Sequence, residues 1–215
     1  MGAGESSASV DAGMRLLLAS RSAELDAGAR AIGWKIGINV PVLQSHFGLK
    51  GPVVGYLTDR TVIPVGQSID ASEWEHPALE VELAIRVGEA SDVAGLAAAV
   101  ELVDLNLPFE NIEPILAGNI FHRGVIFGPE VRDLELTELE GVVKVDGQVV
   151  ARGTLHELPA MTIEFVQVFL AERGATLAPG DRIIAGSLIA PRTIGSGDHF
   201  DIELGPLGSI RVDIC

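Results

Sequence analysis

One stretch constrains this chain more than any other. "HPALEVELAIRV", His76 to Val87, reads as a buried strand by its apolar and β-branched content, yet it carries Glu80 and Glu82. Side chains two positions apart on a strand share a face, so the two carboxylates project together while Val81 and Leu83 point the other way. Adjacent carboxylates repel; either one is protonated or both face a cation. A solvated strand face with ordinary polar-out alternation fits the same pattern. A hard divalent cation such as Mg²⁺ or Mn²⁺, which takes oxygen ligands, answers the pairing directly.

Glu101 strengthens the cation reading. It is an isolated acid in "AAAVELVDLN", another apolar stretch, and three carboxylates on two neighbouring strands make a facial set with room for water and substrate. Asp104 has an odd offset from Glu101, which puts it on the opposite strand face. Lys35 stands alone in "AIGWKIGIN". It either snorkels to solvent or meets a carboxylate, from the protein or from a substrate. His122 in "NIFHRG" is a structural histidine or a general base. His46, His76, His156 and His199 carry no spacing signal. No phosphate loop, G-x-S-x-G elbow or Cys/His dyad is present.

Around these residues the chain reads as one α+β domain, rich in short strands, with a non-parallel sheet. A flexible arm through residue 9 precedes one or two helices over about 10–30. "AIGWKIGINV", "GPVVGYL", "RTVIPV" and "GVIFG" read as strands, and "PVLQSHFG" as a short helix opened by Pro41. "SDVAGLAAAVELVDLNL" reads as a helix capped near Ser91 or Asp92, followed by a strand through Glu101 and Asp104. "VVKVDGQVV" is a hairpin about Asp146-Gly147. "MTIEFVQVFLAERG" is an amphipathic helix ended by Gly174. "RIIAGSLI" is a buried strand, and two strands close the chain. The segments "GIN" and "PFEN" have the composition of pocket walls but no defined place.

Composition excludes several classes. Formal net charge is −15, with 30 acids against 15 Lys and Arg, and no basic cluster offers a face to nucleic acid or an anionic membrane. The single cysteine, Cys215, rules out a disulfide framework or thiolate metal site and suits a reducing cytoplasm. No run reaches the roughly 20 apolar residues of a membrane helix, and the N-terminus lacks the pattern of a secretory signal.

"GWKIG", "GPVVGYL", "HPALEVELAIRV", "AAAVELVDLN", "AGNIFHRGVIFG" and "LAPGDRIIAGSL" occur in the order of the 2-keto-4-pentenoate hydratase family of the fumarylacetoacetate hydrolase superfamily. Over about residues 10–215 the chain resembles that family. The resemblance implies a mixed β-sandwich or roll. It implies Mg²⁺ or Mn²⁺ held by Glu80, Glu82 and Glu101, with Lys35 at the 2-oxo acid end of the substrate. Asn119 and Ser187 fall to substrate binding, and His122, beside a segment that departs from the family pattern, is the candidate to supply proton transfer in its place. The implied activity is that of a lyase, a hydratase or 2-oxo acid decarboxylase, working in a cytoplasmic oligomer. Hydrolytic C–C cleavage and a non-catalytic partner subunit are the alternatives. All the family reactions share a 2-oxo acid that chelates the metal, with an enolate-like intermediate stabilised there.

Departures from the family pattern bear on proton transfer. Val53 or Val54 stands where hydratases carry an acid. "AGNIFH" replaces an "ADNAS"-like segment, so Gly118 and Phe121 take the places of an acid and a small hydroxyl residue. The chain is short around "TLHELP", and the His–Glu lid pair of the C–C hydrolases has no counterpart.

Overall fold

The computed structural model describes residues 3–155 and 159–215. The shortened "TLHELP" segment falls partly outside them. Helix α1 (Ala3–Asp26) leads into β1 (Ala31–Gly37), α2 (Pro41–Phe47) and β2 (Val53–Thr58). The centre is a long antiparallel pair, β3 (Pro77–Val87) and β4 (Val93–Asp104). Then come α3 (Ile112–Ala117), β5 (His122–Phe127), the hairpin β6 (Leu139–Val145) and β7 (Gln148–Leu155), and α4 (Pro159–Ala171). Four short strands finish the fold: β8 (Arg182–Ile184), β9 (Arg192–Thr193), β10 (His199–Glu203) and β11 (Ser209–Asp213).

Two sheets result. The larger runs β2-β1-β8-β3-β4-β5, with β9 also on β3; the smaller runs β11-β10-β6-β7. The β1–β8 pair is parallel, whereas the other paired strands are antiparallel. The main core lies between the sheets. Val81, Leu83, Ile85, Leu96, Ala98 and Val100 from β3 and β4 join Phe200, Ile202, Ile210 and Val212 from the smaller sheet. This is the β-rich α+β domain that the strand pattern predicts, arranged as the mixed sandwich that the family resemblance implies.

Several local expectations hold for stated reasons. Asp146 and Gly147 both have positive φ (50° and 78°), the requirement of a type I′ turn, and Val145 pairs with Gln148 across it. Gly174, at φ 70°, follows α4.

Three local expectations need correction, and one short helix was not expected. The alanine-rich stretch before Glu101 is strand, not helix. Alanine favours helix in isolation, but β4 pairs with β3 from Val93 to Asp104, and this long ladder overrides the propensity. "RTVIPV" is not a strand either: Asp59–Thr61 form a 3₁₀ turn, and Val62 makes only an isolated bridge to Val125. A third short helix, α3, was unforeseen; the Asn111 side chain caps it by accepting from the Glu113 amide at 3.0 Å. At the N-terminus a single helix, within the one or two expected, covers Ala3–Asp26 and takes in most of the stretch expected as an arm.

Candidate metal and oxo-acid site

The site grows from strand register. Glu80 on β3 lies directly opposite Glu101 on β4, and Glu82 follows two positions on, opposite Ala99. All three project from the same sheet face, and one carboxylate oxygen from each lies within 4.8 Å of the others. Glu82 and Glu101 are fully buried, while Glu80 is half-buried.

The hydrogen-bond inventory around them is uneven. Lys35 Nζ donates to Glu101 Oε1 and, at 3.0 Å, to the Ile120 carbonyl. His122 Nδ1 lies 2.8 Å from the same Glu101 oxygen. By contrast, both oxygens of Glu82 and Oε2 of Glu101 have no hydrogen-bond partner. Burying such oxygens unpaired costs several kcal/mol, so the native arrangement calls for a further positive group. Three converging carboxylates, three orphaned oxygens and no thiolate or imidazole in the set suit a hard divalent cation.

Ionisation follows the same unevenness. Burial, then repulsion from Glu101, raises Glu80 to about 7, against a smaller pull from Lys35. Burial, then Glu101 and Glu80, push Glu82 well above the usual carboxylate range. The Gly186 amide gives Glu82 only a minor counterweight and satisfies neither oxygen. Glu101 is also driven up by burial, but Lys35 and His122 together outweigh that and hold it below its ordinary value. Burial holds His122 below its ordinary value despite Glu101. A neutral ring that donates from Nδ1 to Glu101 and accepts at Nε2 from the Thr61 hydroxyl, 2.9 Å away, fits both contacts.

Backbone devices hold this cluster. Asn119, Ile120 and Phe121 are consecutive residues at φ 55°, 53° and 66°. Left-handed backbone is costly for such side chains, above all for β-branched isoleucine, and clusters at functional sites. Here it turns the Ile120 carbonyl toward Lys35. Asn119 is tied down by Tyr56: its Oδ1 accepts from the Tyr56 amide at 2.9 Å, and its Nδ2 donates to the Tyr56 carbonyl at 3.0 Å. Gly55 is required beside it. A Cβ there would lie 2.7 Å from Asn119 Oδ1 and 2.9 Å from Lys35 Cγ.

A cavity of about 380 Å³ opens onto the cluster. Lys35, Glu80, Asn39 and Ser187 give it a polar end; Leu43, Val103, Leu105, Phe109, Phe121 and the Leu188–Pro191 segment form most of the remaining wall. The previously unplaced "GIN" and "PFEN" segments thus contribute Ile38, Asn39 and Phe109. On another side a polar cleft of about 320 Å³ is lined by Glu24, Tyr56, Thr58, Thr61, Asn119 and His122.

The structure therefore brings Lys35, Glu80, Glu82, Glu101 and His122 together and puts Ser187 in the cavity wall. It places Asn119 outside that wall, with its amide committed to Tyr56, and His122 behind Glu101. Asp104 stands apart, as its offset predicts, accepting from the His76 amide at 2.8 Å and pairing with Arg123 at 3.6 Å. Val53 and Val54 are buried in the apolar core. The sequence reading missed Thr61, hidden in a segment taken for strand, and the Ile120 carbonyl, for which no side chain gives a signal.

Comparison with known proteins agrees with this architecture. The family model for the fumarylacetoacetate (FAA) hydrolase C-terminal region matches residues 41–215. A 4-oxalocrotonate decarboxylase of Pseudomonas putida is 26% identical over 203 residues, covering 85% of this chain and 77% of the relative. A 2-oxo-hept-4-ene-1,7-dioate hydratase of Escherichia coli is 28% identical over 211 residues, covering 83% and 76%. Among solved structures, 4-oxalocrotonate decarboxylase from Pseudomonas putida G7, complexed with magnesium and adipate, superposes with a TM-score of 0.85 at 22% identity, covering 93% of this chain and 83% of that one. At that identity the likeness is one of fold.

Proposed function

The chain belongs to the fumarylacetoacetate hydrolase family, and from that premise we propose that it is a divalent-metal-dependent lyase, a hydratase or decarboxylase acting on a small 2-oxo or 2-hydroxydienoic acid. The observation that carries the reading is the set of orphaned carboxylate oxygens on Glu82 and Glu101 beside Glu80, which lines the polar end of the cavity.

Glu80, Glu82 and Glu101 would hold Mg²⁺ or Mn²⁺; magnesium is the ion named with the decarboxylase of the same fold. When bound, such an ion supplies Lewis-acid stabilisation to negative charge on a substrate oxygen. The chain's own residues do the rest. Lys35, fixed between Glu101 and the Ile120 carbonyl, presents a positive charge to the substrate's acid end. Ser187 lines the same end of the cavity and offers a hydroxyl, at present turned toward the Val81 carbonyl at 3.4 Å. His122 orients Glu101 and offers a proton acceptor behind it. Asn119, bound to Tyr56, positions the turn that presents Ile120 rather than touching substrate. The apolar walls exclude water from the reacting carbons. We place the enzyme in the cytoplasm as a homo-oligomer, supported by its single cysteine and the habit of the resembled family.

One observation favours a second reading, a partner subunit without turnover of its own. Val53 and Val54, at the place of the hydratase acid, are buried in apolar core. The triad and Lys35 speak against it, since a scaffold needs neither. Assay with Mg²⁺ over a panel of 2-hydroxydienoates and 2-oxo acids separates the two. The lyase reading expects turnover that chelator removes and Lys35→Met abolishes. Metal binding without turnover of any panel member would overturn it in favour of the partner subunit.

A further inference from the structure

The cavity wall carries information about the substrate's far end. Resting on the proposed lyase reading, we infer that this site takes 2-oxo acids with an uncharged, apolar tail and discriminates against those ending in a second carboxylate. Among the described residues, the only cation in the wall is Lys35, and it is engaged by Glu101 at the head of the site. Away from that head, the wall is Leu43, Leu105, Phe109, Phe121, Ile189 and Pro191. Phe109 and Phe121 pack with ring centroids 5.4 Å apart, so the aromatic side is a formed surface.

The basic residues nearby are engaged elsewhere or absent from the wall. Arg123 pairs with Asp104, and Arg192 is exposed on β9 and absent from the wall. His46 is bonded to the Phe109 carbonyl through Nε2 at 2.6 Å, which leaves its ring outside the wall. A second carboxylate entering this volume would be desolvated with no partner, whereas a hydrocarbon tail gains from the same burial. The reading separates this chain from relatives whose names or ligands are dioates.

The test is calorimetry on Mg²⁺-loaded protein with three probes that share a head. These are pyruvate, 2-oxohexanoate, and 2-oxohexanedioate, which has the six carbons of the second but a terminal carboxylate. The expected order is 2-oxohexanoate tighter than pyruvate, and tighter than the dioate, each by at least about tenfold. Phe109→Arg, at a rim position 38% exposed and so tolerant of substitution, should recover dioate binding about tenfold and erase the preference. Leu105→Arg, at a second lining position, provides the same reversal. If pyruvate binds and the dioate matches or exceeds 2-oxohexanoate, the tail inference falls and the lyase reading stands. If pyruvate fails to bind the metal-loaded protein, the oxo-acid reading falls and takes this inference with it.

Discussion

The two faces of the β3–β4 pair come from the same residues in alternation and share every backbone hydrogen bond, yet they are built to opposite ends. Facing the smaller sheet are Val81, Leu83, Ile85, Leu96 and Val100, branched aliphatics in a continuous core. Facing the other way are Glu80, Glu82 and Glu101, with Ala84, Ala97 and Ala99 as a thin apolar floor. The first face repays the cost of ordering two long strands. The second uses the rigidity so gained to hold like charges together. Stability and chemistry are thus separated by one residue of alternation, which is why a register slip here would destroy both.

Substitutions one residue apart should therefore move stability in opposite directions. The largest effect is expected at Leu83→Ala, which removes a fully buried side chain from the main core and should cost about 2–5 kcal/mol by chemical denaturation. Its neighbour Glu82→Gln should instead stabilise the metal-free protein by about 1–3 kcal/mol, because it removes a buried carboxylate with no hydrogen-bond partner. A destabilised Glu82→Gln would place that side chain with the core face, against the separation.

The pH dependence of metal-free protein sharpens the comparison. Glu80 and Glu82 titrate higher folded than unfolded, so between about pH 4.5 and 7 the folded state holds more protons than the unfolded one, and stability falls as pH rises. His122, held below its ordinary value, acts the other way: it adds stability as pH rises toward its unfolded value. Two glutamates against one histidine should lower Tm by about 5 °C from pH 5 to 7.5. Glu80→Gln combined with Glu82→Gln should leave only the histidine limb and reverse the slope below pH 6.5. Saturating Mg²⁺ should cancel the fall in the wild type. Scanning calorimetry across that range reads all three.

The smallest effect is expected behind the site. Thr61→Val removes the partner of His122 Nε2 and should weaken Mg²⁺ binding by up to about tenfold, with Tm nearly unchanged. An unaltered affinity would make the Thr61–His122 contact simply structural.

Legibility in the sequence follows the same division. The glutamate face was legible because acids in an apolar alternation are conspicuous, and Lys35 was legible for the same reason. Its partner was not, since a lone lysine does not say whether it meets a protein or a substrate carboxylate. The first half of β4 was illegible because its small residues mimic a helix, and only pairing with β3 makes it strand. The left-handed turn at Asn119–Phe121 was illegible for a different cause. Isoleucine and phenylalanine oppose that backbone, and bonds from the Asn119 and Ile120 amides to the Leu116 and Ile115 carbonyls, with Tyr56, hold it. Family resemblance identified the segment as altered without indicating that Asn119 would be spent on backbone.

The central claim is that Glu80, Glu82 and Glu101 form a divalent-cation site that a 2-oxo acid completes. Its most direct test is calorimetric titration of Mg²⁺ or Mn²⁺ into metal-free protein, with and without oxalate, on wild type and Glu82→Ala. The account predicts one ion per chain, bound more tightly with oxalate present, and loss of both signals by at least about 100-fold in Glu82→Ala. Absence of binding to the wild type, or an unchanged affinity in the variant, would contradict it.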